Sequence, residues 1–176
     1  MNVVFFDVET QRSFDEVGGR RNIRRMGLAA AVTYSTATGA YHHYTEDRCA
    51  ELLAELRAAD LVVGFNVLSF DYEVLRAYTD DPLDDLPTVD MLDHVYRRLG
   101  FRVGLNALAE CTLGCCKSAD GLQALAWYRE GKMQEILDYC QQDVEVTRQL
   151  YEYGRQYKHL KYRDKMRRLQ MVPVSW

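Results

Sequence analysis

The stretch NVVFFDVE at residues 2–9 constrains the fold of this chain more than any other part of the sequence. Valine and phenylalanine supply five of its eight residues, and β-branched and aromatic side chains are enriched in strands. A largely apolar run of this length is typical of a strand that is buried on both faces of a sheet. We therefore predict a central strand, with helices covering the sheet on both sides.

The segments after this strand alternate between strand and helix patterns. Residues 27–35 and 40–45 flank the turn TATG and predict a hairpin, so we expect the first three strands to be antiparallel. The pattern then continues, in order, as helix 48–59, strand 60–66, helix 69–78 with Ser69 as a candidate cap, strand 86–92 breaking into a helix near Asp90, and helices from 104 onward. This order predicts an α/β domain of three layers, in which helices flank a central mixed sheet.

The C-terminal segment KYRDKMRRLQMVPVSW does not continue the helical pattern. Pro173 and the β-prone run VPVSW predict a small hairpin that turns near DKMR. A chain of 176 residues favours a single domain. We expect residues 1–156 to form that domain and residues 157–176 to pack on it as a hairpin extension.

The chain carries a formal net charge of −4, and two segments concentrate its basic residues. Four arginines lie at 20–25, and residues 155–168 hold seven lysines and arginines against the single acid Asp164. The acidic balance argues against a protein that coats nucleic acid through bulk positive charge. It leaves open an enzyme that gathers carboxylates around metal ions, and the two basic segments are either solvated surface or local guides for an anionic substrate.

Cysteine spacing and hydropathy argue against other classes of protein. The five cysteines include no C-x-x-C pair and are not spaced with the four histidines as zinc ligands usually are. We expect reduced and mostly buried thiols, with Cys140 as a core residue. No apolar run approaches the length of a membrane span, and MNVVFFDVET does not have the pattern of a signal peptide. We expect a cytoplasmic protein.

Acidic residues stand at the ends of elements in three separate segments. Asp7 and Glu9 point to one face of the first strand, because side chains alternate along a strand. Asp71 follows the strand that runs into GFN, and Asp143 lies one helical turn after Tyr139, on the same helix face. Each segment alone also has an ordinary explanation: a strand reaching solvent, an acid at a helix N-terminus, or the solvated face of an amphipathic helix.

Carboxylates gathered in one cleft repel each other and therefore favour bound cations. Oxygen ligands suit hard divalent ions such as Mg²⁺ or Mn²⁺. Two such ions can activate a water and stabilise the leaving oxygen of a phosphodiester.

The motifs DVET, GFNVLSFD and YCQQD, taken in order, resemble the three exonuclease motifs of the DEDD superfamily, in the variant whose third motif is Tyr-x-x-x-Asp. The resemblance runs from about residue 3 to about residue 153 and implies a ribonuclease H-like fold. The surrounding segments FFDVETQ, LPTVDML and KSADGLQALAWYREGK are most similar to a bacterial group of ribonuclease H-like exonucleases.

The resemblance also implies roles for individual residues. The two divalent metal ions, Mg²⁺ or Mn²⁺, would be held by four ligands: Asp7, Glu9, Asp71 and Asp143. Tyr139 would orient or deprotonate the attacking water. From their positions beside the motif acids, Thr10 and Asn66 either hold the terminal nucleotide or only pack, and Phe70 either stacks on a base or only packs. Lys117 either contacts a phosphate or is an exposed loop residue.

The activity implied is a metal-dependent 3′–5′ exonuclease that releases nucleoside 5′-monophosphates from single-stranded ends, with DNA slightly favoured over RNA. An exoribonuclease with the same site is the nearest alternative, because the motifs do not read the 2′-hydroxyl. A catalytically idle module that binds nucleic acid or a partner protein is a third interpretation. The expected partners are single-stranded 3′ ends and, for a chain of 20.4 kDa, a helicase or polymerase that recruits it.

Overall fold

The computed structural model describes residues 1–114 and 121–176 of the chain. In these residues the strands are β1 Val3–Thr10, β2 Leu28–Ser35, β3 Ala40–Thr45, β4 Leu61–Gly64, β5 Thr88–Asp90, β6 His159–Arg163 and β7 Leu169–Pro173. The α-helices are α1 Cys49–Ala58, α2 Asp71–Leu75, α3 Met91–Leu99, α4 Leu105–Leu113, α5 Gly121–Arg129 and α6 Met133–Tyr157. Short 3-10 helices span Arg20–Arg25 and Glu46–Arg48.

The first five strands form one mixed sheet in the order β3-β2-β1-β4-β5. Strands β1, β2 and β3 are antiparallel neighbours, whereas β4 and β5 run parallel to β1. The predicted α/β class, with a mixed sheet whose first three strands are antiparallel, is therefore confirmed, and β1 is the central strand.

The two faces of β1 belong to two different hydrophobic cores. Phe5 packs into a core with Val144 of α6, whereas Phe6 packs into a core with Leu52 of α1. Burying a side chain of this size contributes about 1.5–3 kcal/mol, so both faces of the strand hold the layers together. Because side chains alternate, the odd-numbered residues of β1 face α6.

Strand β4 ends before β1 does, and this difference opens the sheet. Parallel pairing runs only from Val3 opposite Leu61 to Phe5 opposite Val63. At Gly64 the chain turns away, and a Cβ atom there would overlap the Val67 side chain and lie 3.1 Å from the Phe6 carbonyl oxygen. A glycine is thus required where the two strands separate.

The C-terminal hairpin of β6 and β7 is present as predicted. Its turn is closed by Asp164, whose side chain accepts hydrogen bonds from the backbone N–H groups of Met166 and Arg168. Leu160 and Val172 belong to the same core as the odd-numbered face of β1. We propose on this basis that residues 157–176 fold as an extension of the domain formed by residues 1–156.

One local prediction was wrong. Helix α2 begins only at Asp71, after Phe70, and Ser69 does not cap it. The basic segment at 20–25 forms a 3-10 helix. Lys117 lies outside the described residues, and among the residues described no helix has the length and hydropathy to cross a bilayer.

Candidate active site

The acids of β1 and α6 meet on one side of the sheet. Asp7 and Glu9 share the face of β1 that packs against α6, and Asp143 projects from that helix. One carboxylate oxygen from each of the three lies within 4.8 Å of the others. The structure thus brings together residues from opposite ends of the chain, as expected if they share a ligand.

Asp71 lines the same cleft as Asp7 and Glu9, but it is not one of the three residues whose carboxylate oxygens lie close together. It is almost fully buried, with 2% of its surface exposed, and its Oδ1 accepts a hydrogen bond from the Val8 backbone N–H at 3.0 Å. That N–H lies beyond the last residue of β1 that pairs with β4. Asp71 therefore replaces the missing strand neighbour as well as adding its charge to the site.

Burial and mutual repulsion make the acids hard to ionise. Burial, followed by the charges of Asp71, Glu9 and Asp143, raises the pKa of Asp7 well above its usual range. Burial, followed by the charges of Asp143 and Asp71, raises the pKa of Glu9 well above its usual range. Burial raises the pKa of Asp71 to about 8, against the opposing effect of its backbone hydrogen bonds. Such a cluster stores unfavourable energy that a cation would relieve.

Tyr139 stands one turn before Asp143 on α6 and is largely buried. Its hydroxyl is hydrogen-bonded to Asp143, and burial together with the nearby carboxylates raises the pKa of Tyr139 far above its usual range. The ring packs edge-on against Trp127, with centroids 6.3 Å apart. The hydroxyl therefore keeps its proton at neutral pH, which favours the orienting role over the role of base.

An apolar cleft of about 430 Å³ opens beside the acids and contains Asp7, Glu9 and Asp71 in its wall. Residues that sequence reasoning placed near a terminal nucleotide line it as well: Thr10, Asn66 and Phe70. Phe14 completes an aromatic corner of this apolar cleft, edge-on to Phe70 with centroids 5.8 Å apart. Sequence reasoning missed Phe14, although it lies only a few residues after the acids of β1.

Thr10 and Asn66 use their polar groups within the protein. The Thr10 hydroxyl donates to the Arg12 carbonyl at 3.0 Å, and the Asn66 Oδ1 accepts from the Arg102 guanidinium at 2.7 Å. Phe70 offers only its ring. Of the three residues, Phe70 is thus the one that has no polar group engaged within the protein.

A second cleft, of about 320 Å³, adjoins the apolar cleft and is more polar. Its wall includes Asp7, Asp143, Asn66 and Arg102. This polar cleft and the apolar cleft share Asp7, Phe65 and Asn66, so an elongated ligand that crosses the acids can occupy both. Arg102 was not predicted as a site residue from the sequence. The one feature of the sequence that could have indicated it is its position between Gly100 and Gly104, in a loop that leads to a helix.

Asp90 holds the loop that separates the two clefts. Its carboxylate caps α3 by accepting from the N–H groups of Leu92 and Asp93, and it also accepts from Asn66 at 2.8 Å and Leu68 at 3.0 Å. The same carboxylate thus caps a helix and holds the loop that carries Asn66.

Cys140 is more than a core residue. Its thiol contacts Asp7, 3.2 Å from the backbone oxygen and 3.5 Å from the carboxylate Oδ2. Burial raises the pKa of the Cys140 thiol well above its usual value, so it acts as a neutral donor to the acid.

The residues present fit divalent metal ions. Every converging donor is a carboxylate oxygen, the ligand type that Mg²⁺ and Mn²⁺ prefer over nitrogen or sulfur. Burial, followed by the neighbouring carboxylates, raises the pKa values of Asp7 and Glu9, and a bound cation would favour their ionised forms.

Comparison with known proteins agrees with this architecture. The model of the RNase H superfamily matches residues 4–154, and the chain therefore belongs to that superfamily. No protein with curated function matches the sequence. In fold, the chain is similar to the family B DNA polymerase from the hyperthermophilic archaeon Pyrobaculum calidifontis, with a TM-score of 0.65 and 16% identity. The match covers 88% of this chain and 24% of the polymerase, so the chain spans about a quarter of that protein's length.

Proposed function

We propose that this protein is a metal-dependent 3′–5′ exonuclease of the Tyr-containing DEDD type, related to the bacterial ribonuclease H-like exonucleases that its sequence resembles. It would release nucleoside 5′-monophosphates from single-stranded ends. The observation that carries the proposal is the convergence of Asp7, Glu9 and Asp143, with Tyr139 one helical turn away. Membership of the RNase H superfamily supports a nuclease in general.

Two divalent ions, Mg²⁺ or Mn²⁺, would be held by Asp7, Glu9, Asp71 and Asp143. When bound, the ions would supply a more acidic water and stabilise the charge on the leaving oxygen of the phosphodiester. The residues themselves contribute a set of oxygens that is buried at Asp71 and half-buried at the other three acids, and β1, α2 and α6 each hold one part of it. A module that only binds nucleic acid would gain nothing from carboxylates that repel both each other and phosphate.

Tyr139 would act with its proton in place. The hydroxyl, bonded to Asp143, can turn its hydrogen toward a neighbouring acceptor, or receive a hydrogen bond from the attacking water, and so fix the water's position. Its contact with Trp127 holds the ring in that orientation.

The apolar cleft would receive the last nucleoside of the strand. The rings of Phe14 and Phe70 offer a surface on which a base can stack, an interaction that is independent of sequence. A paired end would have to fray before it could enter, at a cost of roughly 1.4 kcal/mol per base-pair step. Single strands are therefore the preferred substrate. We favour DNA, and RNA is the alternative because stacking bases and phosphates are common to both polymers.

A direct test uses single-stranded DNA and RNA of one sequence, each labelled at its 5′ end, with Mn²⁺ or Mg²⁺. The proposal predicts a ladder of labelled strands that shorten one nucleotide at a time, together with free 5′-monophosphates. Protein carrying Asp143→Asn serves as the control for contaminating nucleases. If neither polymer is degraded and titration shows no two-site metal response, the chain is an idle binding module and the proposal is wrong.

Partners for this activity are also a proposal. A domain of 20.4 kDa with a net charge of −4 offers limited surface for holding a long strand. We propose distributive action, with a helicase or polymerase as the recruiting partner. Pull-down of the purified chain with such a candidate would test this separately.

A further inference from the structure

Arg102 occupies an unusual place for a basic residue. In the part of the chain that the structure describes, it is the one lysine or arginine among the residues that line the clefts beside the acids. Arg102 is exposed and lines the polar cleft together with Asp7 and Asp143, and among the described residues its guanidinium forms no ion pair with a carboxylate. Its partner is instead the neutral amide of Asn66, at 2.7 Å.

The neutrality of that partner matters. An aspartate in place of Asn66 would orient the arginine but also cancel its charge, whereas an amide oxygen orients it and leaves the charge available. Asn66 is itself held in place, because it adopts a left-handed backbone conformation with φ of 70° and its N–H is bound by Asp90 at 2.8 Å. A side chain other than glycine, asparagine or aspartate is strained in that conformation.

We propose that Arg102, oriented by Asn66, binds the phosphate that lies one nucleotide on the 5′ side of the scissile phosphate. This inference rests on the proposed exonuclease function. With the terminal nucleoside in the apolar cleft and the scissile phosphate at the acids, the strand continues across Asp7 into the polar cleft. The next anionic group then meets the guanidinium, which binds phosphate through two or more N–H groups.

Arg102 thereby sets which end of a strand is productive. A phosphate in the polar cleft and a free terminal nucleoside in the apolar cleft fix the direction of the chain across the acids. Asn66 and Asp90 are positioning residues in this scheme, because they act on the substrate only through Arg102 and the loop that carries Asn66.

The shortest substrates isolate the contact. The dinucleotide TpT contains only the scissile phosphate, whereas TpTpT adds the phosphate assigned to Arg102. We expect wild-type protein to cleave TpTpT with the higher kcat/KM, and Arg102→Gln to lower the ratio of kcat/KM for TpTpT over TpT by about tenfold or more, as for the removal of a charge-assisted hydrogen bond. Arg97→Gln is the matched control, because Arg97 is exposed on α3 and paired with Asp93.

A neutral methylphosphonate at the 5′ linkage of TpTpT provides a second, independent readout. It should lower cleavage by wild-type protein as much as Arg102→Gln does, and combining the two changes should cost no more than either alone. Asn66→Gly, which tolerates the left-handed conformation, should also reduce the ratio without adding to the effect of Arg102→Gln.

The outcomes separate this inference from the proposed function. If wild-type protein cleaves both substrates but Arg102→Gln leaves their ratio unchanged, or the methylphosphonate and the mutation are additive, the assignment of Arg102 is wrong and the exonuclease stands. If wild-type protein cleaves neither these substrates nor longer strands, the proposed function itself fails. A shifted melting temperature for Arg102→Gln together with an equal loss on both substrates would mark a structural role and also overturn the assignment.

Discussion

The Oδ1 atom of Asp71 accepts a hydrogen bond from the backbone N–H of Val8 at 3.0 Å. This bond joins the start of α2 to the centre of β1, at the level where β4 has already ended and the sheet opens. An acid that contributes to the site is thus also part of the framework that holds Asp7 and Glu9 on either side of Val8. The fold and the charge cluster are built from the same residues.

Loss of an acid should abolish activity without harming the fold. We expect Asp7→Asn and Asp143→Asn to lose turnover, because each removes a carboxylate from the converging group. In EDTA the melting temperature of either variant should equal or exceed that of wild type, since one source of repulsion is gone. Labelled-strand digestion and thermal melts of the same preparations measure the two effects.

Asp80→Asn is the control for this pair, because Asp80 is exposed in the loop after α2. It should retain full activity and an unchanged melting temperature. Near-normal hydrolysis by Asp143→Asn at saturating Mn²⁺ would show that the acids are not metal ligands.

The stability of the metal-free protein should fall as the pH rises from about 5 to about 8.5. The folded-state pKa values of Asp7, Glu9 and Asp71 are raised, the last to about 8, so the folded protein binds protons that the unfolded chain has already lost. His94 has the opposite sign: its lowered pKa costs stability only below about pH 6.5.

Thermal melts in EDTA at pH 6.5 and 8.5 isolate the acids from His94. The melting temperature should be lower at pH 8.5, and Asp71→Asn, which keeps an oxygen for the Val8 N–H, should reduce the difference. Added Mn²⁺ should raise the melting temperature most at the higher pH, where the carboxylates are ionised. A melting temperature that rises between the two pH values in EDTA would contradict the electrostatic account.

Replacing the Tyr139 hydroxyl should slow chemistry and spare the fold. Tyr139→Phe keeps the edge contact with Trp127 and loses only the hydrogen bond to Asp143. We expect the single-turnover rate to fall roughly 10²-fold, as for other groups that position a reacting water. Binding of single-stranded DNA and the melting temperature should change little. An unchanged single-turnover rate would reduce Tyr139 to a packing residue.

The arginines of the 3-10 helix should contribute to substrate binding through charge. Arg20 lies over the ring of Phe14, 5.0 Å from its centroid, at the wall of the apolar cleft. Changing Arg20, Arg21, Arg24 and Arg25 together to glutamine, in an Asp143→Asn background, should weaken binding and reduce the dependence of log K on log salt by about 0.7 for each phosphate that the protein no longer neutralises.

A double variant of α1 and its preceding turn, Arg48→Gln with Arg57→Gln, is the control for that measurement. These arginines pair with Glu51 and Asp81 and should leave the salt dependence as in the parent protein. Equal slopes for all three proteins would mean that the 3-10 helix is only solvated surface. The basic segment at 155–168 can be tested in the same way.

The sequence predicted those features of the fold that depend on local pattern. Alternation along β1 was enough to place Asp7 and Glu9 on one face, and the turn TATG was enough to pair β2 with β3. Asp90 could be read as a helix cap because the residues that it caps follow it directly.

Features that depend on contacts distant in sequence could not be read in this way. Ser69 was a reasonable cap by local rules, but α2 begins only at Asp71, and the turn before it is held by a hydrogen bond from Leu68 to Asp90, 22 residues away. The pairing of Arg102 with Asn66 spans 36 residues and depends on where two loops meet across a cleft. Residue spacing carries no signal for such a pair, because the tertiary fold alone brings its members together.

Paired linear and circular substrates distinguish removal of nucleotides from a 3′ end from cleavage inside the strand. Single-stranded DNA of one sequence is prepared in both forms and incubated with the protein and Mn²⁺, and the linear form carries a label at its 5′ end. We expect the linear strand to shorten stepwise, with the 5′ label kept on every shortened strand, and the circle to survive. Prompt nicking of the circle, or early release of the 5′ label, would contradict this expectation.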